Sequence, residues 1–216
     1  PKDWLSAWKH IMTSTIDGGE HALAAKIVIW TQTLQVLRGD ELHHRGIRLE
    51  SPPPAVVHRF EETYSNTSTP KETWIRVSRI DCLEAARSLQ TVGFDKVVVL
   101  LMANATKPGG LVRQGRDSQE EDVYCRTDIG LHTEHYLRGA NYPCGDAEPV
   151  VMMHAGVTIL RGPKEDGYPF LEDEDRTAPI TLMSVAVKQD IAKQEISGKT
   201  VYSVLKDRDD LQPHIR

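Results

Sequence analysis

Cysteine is scarce in this chain: Cys82, Cys125 and Cys144 are three among 216 residues, with no CxxC pair. An odd count without pairing motifs fits reduced thiols in an intracellular protein better than a disulfide framework. Long apolar runs are also missing. No stretch reaches the about 18 residues that a membrane-spanning helix needs. The longest run, Val97 to Ala103, has the length of a core strand. Excess positive charge is missing too: 26 Lys and Arg face 31 Asp and Glu, for a net charge of −5. That balance gives no ground for a direct nucleic-acid partner or an anionic membrane. Backbone amides can still hold an anionic ligand. The opening PKDWLSAWKH is amphipathic and has no continuous apolar stretch, so it does not read as a signal peptide. Internal repeats are absent.

What is present suffices for one sizeable core, since 39% of the residues are hydrophobic. A single domain over 20–216 is expected, preceded by an N-terminal arm over 1–19. Leu23, Ile27, Trp30, Leu34 and Leu37 recur at steps of three and four, which predicts a helix over 20–38 stopped by Gly39. Ser51-Pro-Pro-Pro54 and Tyr64 to Pro70 read as loops. Trp74 to Val77 alternates like a short strand. Asp81 opens a helix through Leu89, with Glu84 as its capping-box partner and Gly93 as its end. Lys96 to Ala103 lacks alternation, as expected of a strand covered on both faces. A helix starts at Ser118. Val150 to Leu160 predicts a strand bent at Ala155-Gly156, and Ile180 to Val187 another buried strand. Strands alternating with helices argue for an α/β fold with an at least partly parallel sheet. The acids Glu165, Asp166 and Glu172 to Asp175 read as solvated surface connections.

The densest chemistry lies between Asn104 and Glu121. A strand ending in Asn104 delivers that side chain to the carboxyl edge of the sheet, where ligands of open α/β folds sit. Pro108-Gly109-Gly110 permits a tight turn and close approach of backbone to a ligand. The helix after Ser118 offers first-turn amides to an anion, and its first residues are Gln119, Glu120 and Glu121. Proximity of two like charges raises the pKa of one of them, while the helix dipole favours ionisation. The plainer reading is that Ser118-x-x-Glu121 is a capping box with no further role. On spacing alone that reading is favoured.

The segment resembles the microbial-type poly(ADP-ribose) glycohydrolases, a branch of the macrodomain-like ADP-ribose enzymes. Their pattern of an Ala-Asn pair at a strand end, a Pro-Gly-Gly-Gly turn and a Gln-Glu-Glu triplet is similar to Ala103-Asn104, Pro108-Gly109-Gly110-Leu111 and Gln119-Glu120-Glu121. Resemblance extends over roughly residues 20 to 190, including the helix after Asp81, the Gln32 to Gly39 region and Gly156 to Arg161. It implies a macrodomain-like three-layer α/β/α fold with a mixed, largely parallel sheet. It also implies hydrolysis of ribose–ribose O-glycosidic bonds in poly(ADP-ribose), without cofactor or metal. Glu121 would then be the general acid/base and Glu120 would hold hydroxyls of the terminal ribose. Asn104 would bind the same ribose, Gly109 and Gly110 would line the turn beside it, and Gln119 would orient the pair. By the same likeness Asp81 is a candidate for an adenine amino group, with a helix N-cap as its alternative. The partner implied is ADP-ribose or its polymer on modified proteins. A mono-ADP-ribosyl-protein hydrolase and an ADP-ribose-binding module without turnover are the alternatives.

Two departures from the family pattern stand out. Leu111 replaces the third glycine, which is expected to narrow the cradle. No Gly-rich segment follows Gly198, so the C-terminal strand and diphosphate loop are expected to be missing, with a second polypeptide as one way of completing the fold. Other candidates are weaker. His132-Thr-Glu-His135 and Cys125 lack a further ligand at zinc spacing. His43-His44 sits in a polar loop, Cys125 has no evident partner base, and Arg113 and Arg116 are turn arginines able to pair with phosphate.

Overall fold

The computed structural model describes residues 2–13, 19–38, 55–59, 73–137, 150–186, 191–196 and 199–204. The predicted loops at 51–54 and 64–70, the stop at Gly39, His43-His44 and Cys144 fall outside these. Residues 1–186 form one compact unit and 187–216 another.

The expected N-terminal arm is a core helix, α1 (Lys2–Thr13). Its amphipathic pattern has an apolar side to bury, and Trp8 enters the main core at 2% exposure. The indole N–H groups of Trp4 and Trp8 donate to the carbonyls of Gly167 and Lys164, each at 2.8 Å. A buried indole keeps its large apolar area out of water only if that N–H finds an acceptor. Helix α2 (Glu20–Leu37) follows. Its buried side runs through Ala25, Ile29, Trp30, Thr33, Val36 and Leu37. The predicted stripe is therefore rotated, with Trp30 and Leu37 inside and Ile27 36% exposed.

Trp74 to Val77, predicted as a strand, is irregular and exposed among the described residues. Alternation alone does not make a strand without an edge to pair with. Helix α3 (Cys82–Thr91) keeps its expected N-cap and stop, while the Glu84 carboxylate, expected in a capping box, takes Arg87 and Arg126 instead. Asp81 is its N-cap, accepting from the N–H groups of Leu83 and Glu84 at 3.0 Å each. Gly93, at φ +100°, ends it. Leu83 and Ala86 carry its buried face.

The sheet order is β1 (Val56–Arg59), β3 (Val150–Val157), β4 (Ile180–Ala186) and β2 (Val98–Met102). The mixed α/β architecture is as predicted. One described pairing, β2 with β4, is parallel; β1–β3 and β3–β4 are antiparallel, where a largely parallel sheet was expected. β3 carries a register shift between His154 and Val157, and Gly156 sits there at φ +79°, which is the bend its glycine predicted. β2 is not covered on both faces. Val99 and Leu101 are buried, whereas Val98, Leu100 and Met102 are 53%, 48% and 66% exposed. The inner face joins Ile180 and Leu182 of β4 with Leu83, Ile29, Trp30 and Val123 of the helices in one core. The second unit holds β5 (Ile191–Ile196) and β6 (Lys199–Val204), paired antiparallel from Ile191↔Val204 to Ile196↔Lys199.

Candidate functional site

The site is built where β2 ends. Asn104 follows Met102 by two residues, and its Oδ1 accepts from Thr106 N–H at 2.9 Å, Thr106 Oγ1 at 3.0 Å and Lys107 N–H at 3.0 Å. An asparagine side chain used this way turns the chain at once. Gly109 and Gly110 follow at φ +74° and +54°, where a side chain is disfavoured. Gly109 is packed beneath Tyr124: an added β-carbon would meet its ring at 2.8 Å. Leu111 lies at φ −111°. The turn therefore needs two glycines, and a leucine fits the third position without backbone strain.

Helix α4 (Gln119–Arg126) starts beside this turn, and its first three side chains all reach back to β2 and the loop. Gln119 serves the edge of β2 that faces away from β4: its Oε1 accepts from Met102 N–H at 2.9 Å and its Nε2 donates to Leu100 O at 2.5 Å. The carboxamide thus occupies the place of one residue of a parallel neighbour strand. Glu120 accepts from Asn104 N–H at 2.8 Å through Oε2 and from Gly109 N–H at 2.9 Å through Oε1. Glu121 accepts from Leu111 N–H at 2.8 Å through Oε1 and from the Ser118 hydroxyl through Oε2. Glu120 and Glu121 are 4% and 7% exposed. The predicted cluster Asn104, Gly109, Gly110, Gln119, Glu120 and Glu121 is therefore assembled as one unit around the turn.

Buried acids at a helix start feel opposing forces. Burial pushes the Glu120 carboxyl up to about 7, against the N–H donors of Asn104 and Gly109 and with the charge of Glu121. A carboxyl that titrates near neutrality can exchange a proton at working pH.

Asp81 stands outside this cluster. Its Oδ1 serves the α3 N-terminus and also takes Arg126 Nη1 at 2.8 Å. Burial raises the Asp81 carboxyl, but Arg126 and the N–H donors outweigh it and hold it low. Asp81 shares with Ser118, Gln119 and Lys164 a cavity of about 430 Å³. The residue that sequence reasoning missed is Arg126, 1% exposed. Its guanidinium meets Asp81 and Glu84 of the α3 region at 2.8 and 2.5 Å, and Asp122 of α4 at 3.1 Å. Asp122 also accepts from the Tyr168 hydroxyl at 2.7 Å. The i,i+4 spacing of Asp122 and Arg126 was the visible signal; the link to α3 was not visible.

Arg113 and Arg116 are exposed. Burial pushes the Cys125 thiol up to about 12, which removes it as a nucleophile at neutral pH. His132 is buried beside His154, ring centroids 6.1 Å apart, with Asp128 Oδ1 at 3.7 Å; the His135 side chain is outside the described residues. Among the described residues no group of three His, Cys, Asp or Glu side chains comes together as for a metal ion.

Residues 15–133, just over half of the chain, match the model of the family "Microbial-type PARG, catalytic domain". The structure is similar to that of poly(ADP-ribose) glycohydrolase from Thermomonospora curvata. Identity is 19%, the TM-score 0.56, and the match covers 76% of this chain and 64% of that one. The same enzyme bound to the inhibitor ADP-HPD matches at 18% identity and a TM-score of 0.50, over 76% and 63% of the two chains. The chain thus spans just under two thirds of the length of these structures. No curated protein matches it.

Proposed function

Because this chain belongs to the microbial-type PARG catalytic-domain family, we propose that it hydrolyses ribose–ribose O-glycosidic bonds of poly(ADP-ribose) and releases ADP-ribose. The observation that carries the reading is the pair of buried carboxylates held against a two-glycine turn by backbone N–H groups. Cleavage of such a bond develops oxocarbenium character at the ribose C1. Glu121, protonated, donates its proton to the leaving ribose oxygen. As a carboxylate it then takes a proton from the water that adds to C1, which restores the acid and yields the free sugar hydroxyl. Glu120 pins Asn104 to Gly109 and so keeps the rim of the ribose site closed. Asn104, exposed at the strand end, is the ribose-binding side chain of this reading. The described thiols Cys82 and Cys125 are both free, which supports an intracellular setting.

A second reading is an ADP-ribose-binding module without turnover. It is favoured by one observation: every oxygen of Glu120 and Glu121 already accepts a hydrogen bond from the protein. The deciding experiment incubates the chain with poly(ADP-ribose) and measures released ADP-ribose, for the unmodified chain and Glu121→Ala. The enzyme reading expects release that falls by about 10²–10⁴-fold in the variant, the usual worth of a general acid/base. Calorimetric binding of ADP-ribose with no release selects the binding module. Singly modified peptides as substrate separate a mono-ADP-ribosyl hydrolase from a polymer-cleaving one.

A further inference from the structure

We propose that Ser118 is a positioning residue for Glu121, its hydroxyl setting the orientation of that carboxylate. The inference rests on the reading of Glu121 as the acid/base.

Ser118 occupies the N-cap position of α4, extended at φ −133° and ψ 179°. A serine there ordinarily accepts from the amide N–H two or three residues on. Ser118 makes no such side-chain bond. Its hydroxyl donates instead to Oε2 of Glu121. Oε1 of Glu121 is taken by Leu111 N–H at 2.8 Å, so the capping box anticipated from Ser118-x-x-Glu121 is not formed. The same four residues make a different device, in which the carboxylate is gripped from two sides: by the Gly-Gly turn through a backbone N–H and by the helix start through a hydroxyl. A donor on each oxygen removes rotation about the last side-chain bond. Ser118 is exposed and lines the cavity of about 430 Å³, to which Glu121 does not contribute. Its substitution therefore leaves the core untouched.

The test compares Ser118→Ala and Ser118→Thr with the unmodified chain and with Glu121→Gln. In S118A, kcat on poly(ADP-ribose) is expected to fall about tenfold, the worth of one charge-assisted hydrogen bond. KM should change by less than about twofold, since ground-state binding is untouched. S118T should restore kcat. A simple cap role predicts the reverse, a Tm loss of about 2–4 °C with kcat unchanged, and that outcome overturns the proposal. Carboxyl ¹³C NMR supplies a readout independent of turnover, with the Glu121 resonance identified by its loss in E121Q. That resonance should shift in S118A, where Oε2 loses its donor, and return in S118T. If E121Q keeps full turnover, the acid/base reading falls, while the NMR resonance still decides whether Ser118 positions Glu121. If E121Q is inactive and S118A matches the unmodified chain in kcat and in that resonance, the Ser118 proposal alone falls.

Discussion

Gly110 and Glu121 compete for the same space: a β-carbon on Gly110 would lie 2.5 Å from Oε1 of Glu121, and 3.0 Å from Oε2 of Glu120. The turn is glycine at this position because two carboxylates press against it, and because its φ is +54°.

Gly110→Ala is expected to displace Glu121 rather than the backbone, because a side-chain end yields more easily than a turn. The hydrogen bond from Leu111 N–H to Glu121 is then lost. Stability should drop by about 1–2 kcal/mol, the cost of a left-handed alanine, while release of ADP-ribose from polymer falls by more than tenfold. Denaturant melts and a turnover assay check this; wild-type turnover in a folded G110A would show that Glu121 is not held by the turn.

Glu120 should make the fold less stable as the solution turns from acid to neutral. Its folded pKa is raised from 4.5 to about 7 by burial. Its favourable contribution is thus complete below about 4.5 and is lost as pH rises through 7. Relative to Glu120→Gln, which does not titrate, the unmodified chain should lose on the order of 2 kcal/mol across that window. Parallel curves of unfolding free energy against pH would contradict it.

His132 should act in the opposite sense. Burial lowers it from 6.5 to about 4, and it lowers His154, which also feels His132, from 6.5 to about 4. Their stabilising contribution is present above pH 6.5 and is lost as pH falls towards 4. His132 Nδ1 and Nε2 also find no hydrogen-bond partner among the described residues. His132→Phe should therefore raise Tm at pH 5 more than at pH 8. A uniform change at both pH values would count against a buried neutral imidazole.

Arg126 should resist even its mildest replacement. Arg126→Met leaves the acids of Asp81, Glu84 and Asp122 facing one another without their cation, at a cost of about 3 kcal/mol. Arg126→Lys keeps the charge but not the fork that meets all three, and should recover only part of that loss. Urea titrations of the two variants measure this; full stability of R126K would show that charge alone suffices.

Local signals were readable because their chemistry acts within a few residues. Asp81 caps its own helix, Gly93 closes it, and Gly156 marks the register shift of β3. The Asn104–Glu121 cluster was readable because strand end, turn and helix start are contiguous. Features requiring distant partners were not. Trp4 and Trp8 looked like parts of an arm until Gly167 and Lys164, respectively, supplied acceptors. Trp74 to Val77 has the pattern of a strand but no paired edge among the described residues. Val98, Leu100 and Met102 look like core residues, yet lie on an exposed face.

By itself, the sequence determined which chemistry is available: the paired acids Glu120 and Glu121, the carboxamides of Asn104 and Gln119 and a two-glycine turn within eighteen residues. It determined this because backbone freedom and side-chain reach are local properties. The tertiary structure alone decided how the acids are held. Ser118 could cap a helix or grip a carboxylate, and the choice fell to the second because the Gly-Gly turn folds Leu111 N–H onto Glu121. Packing also decided which groups lose water, and burial is what moves Glu120 towards neutrality.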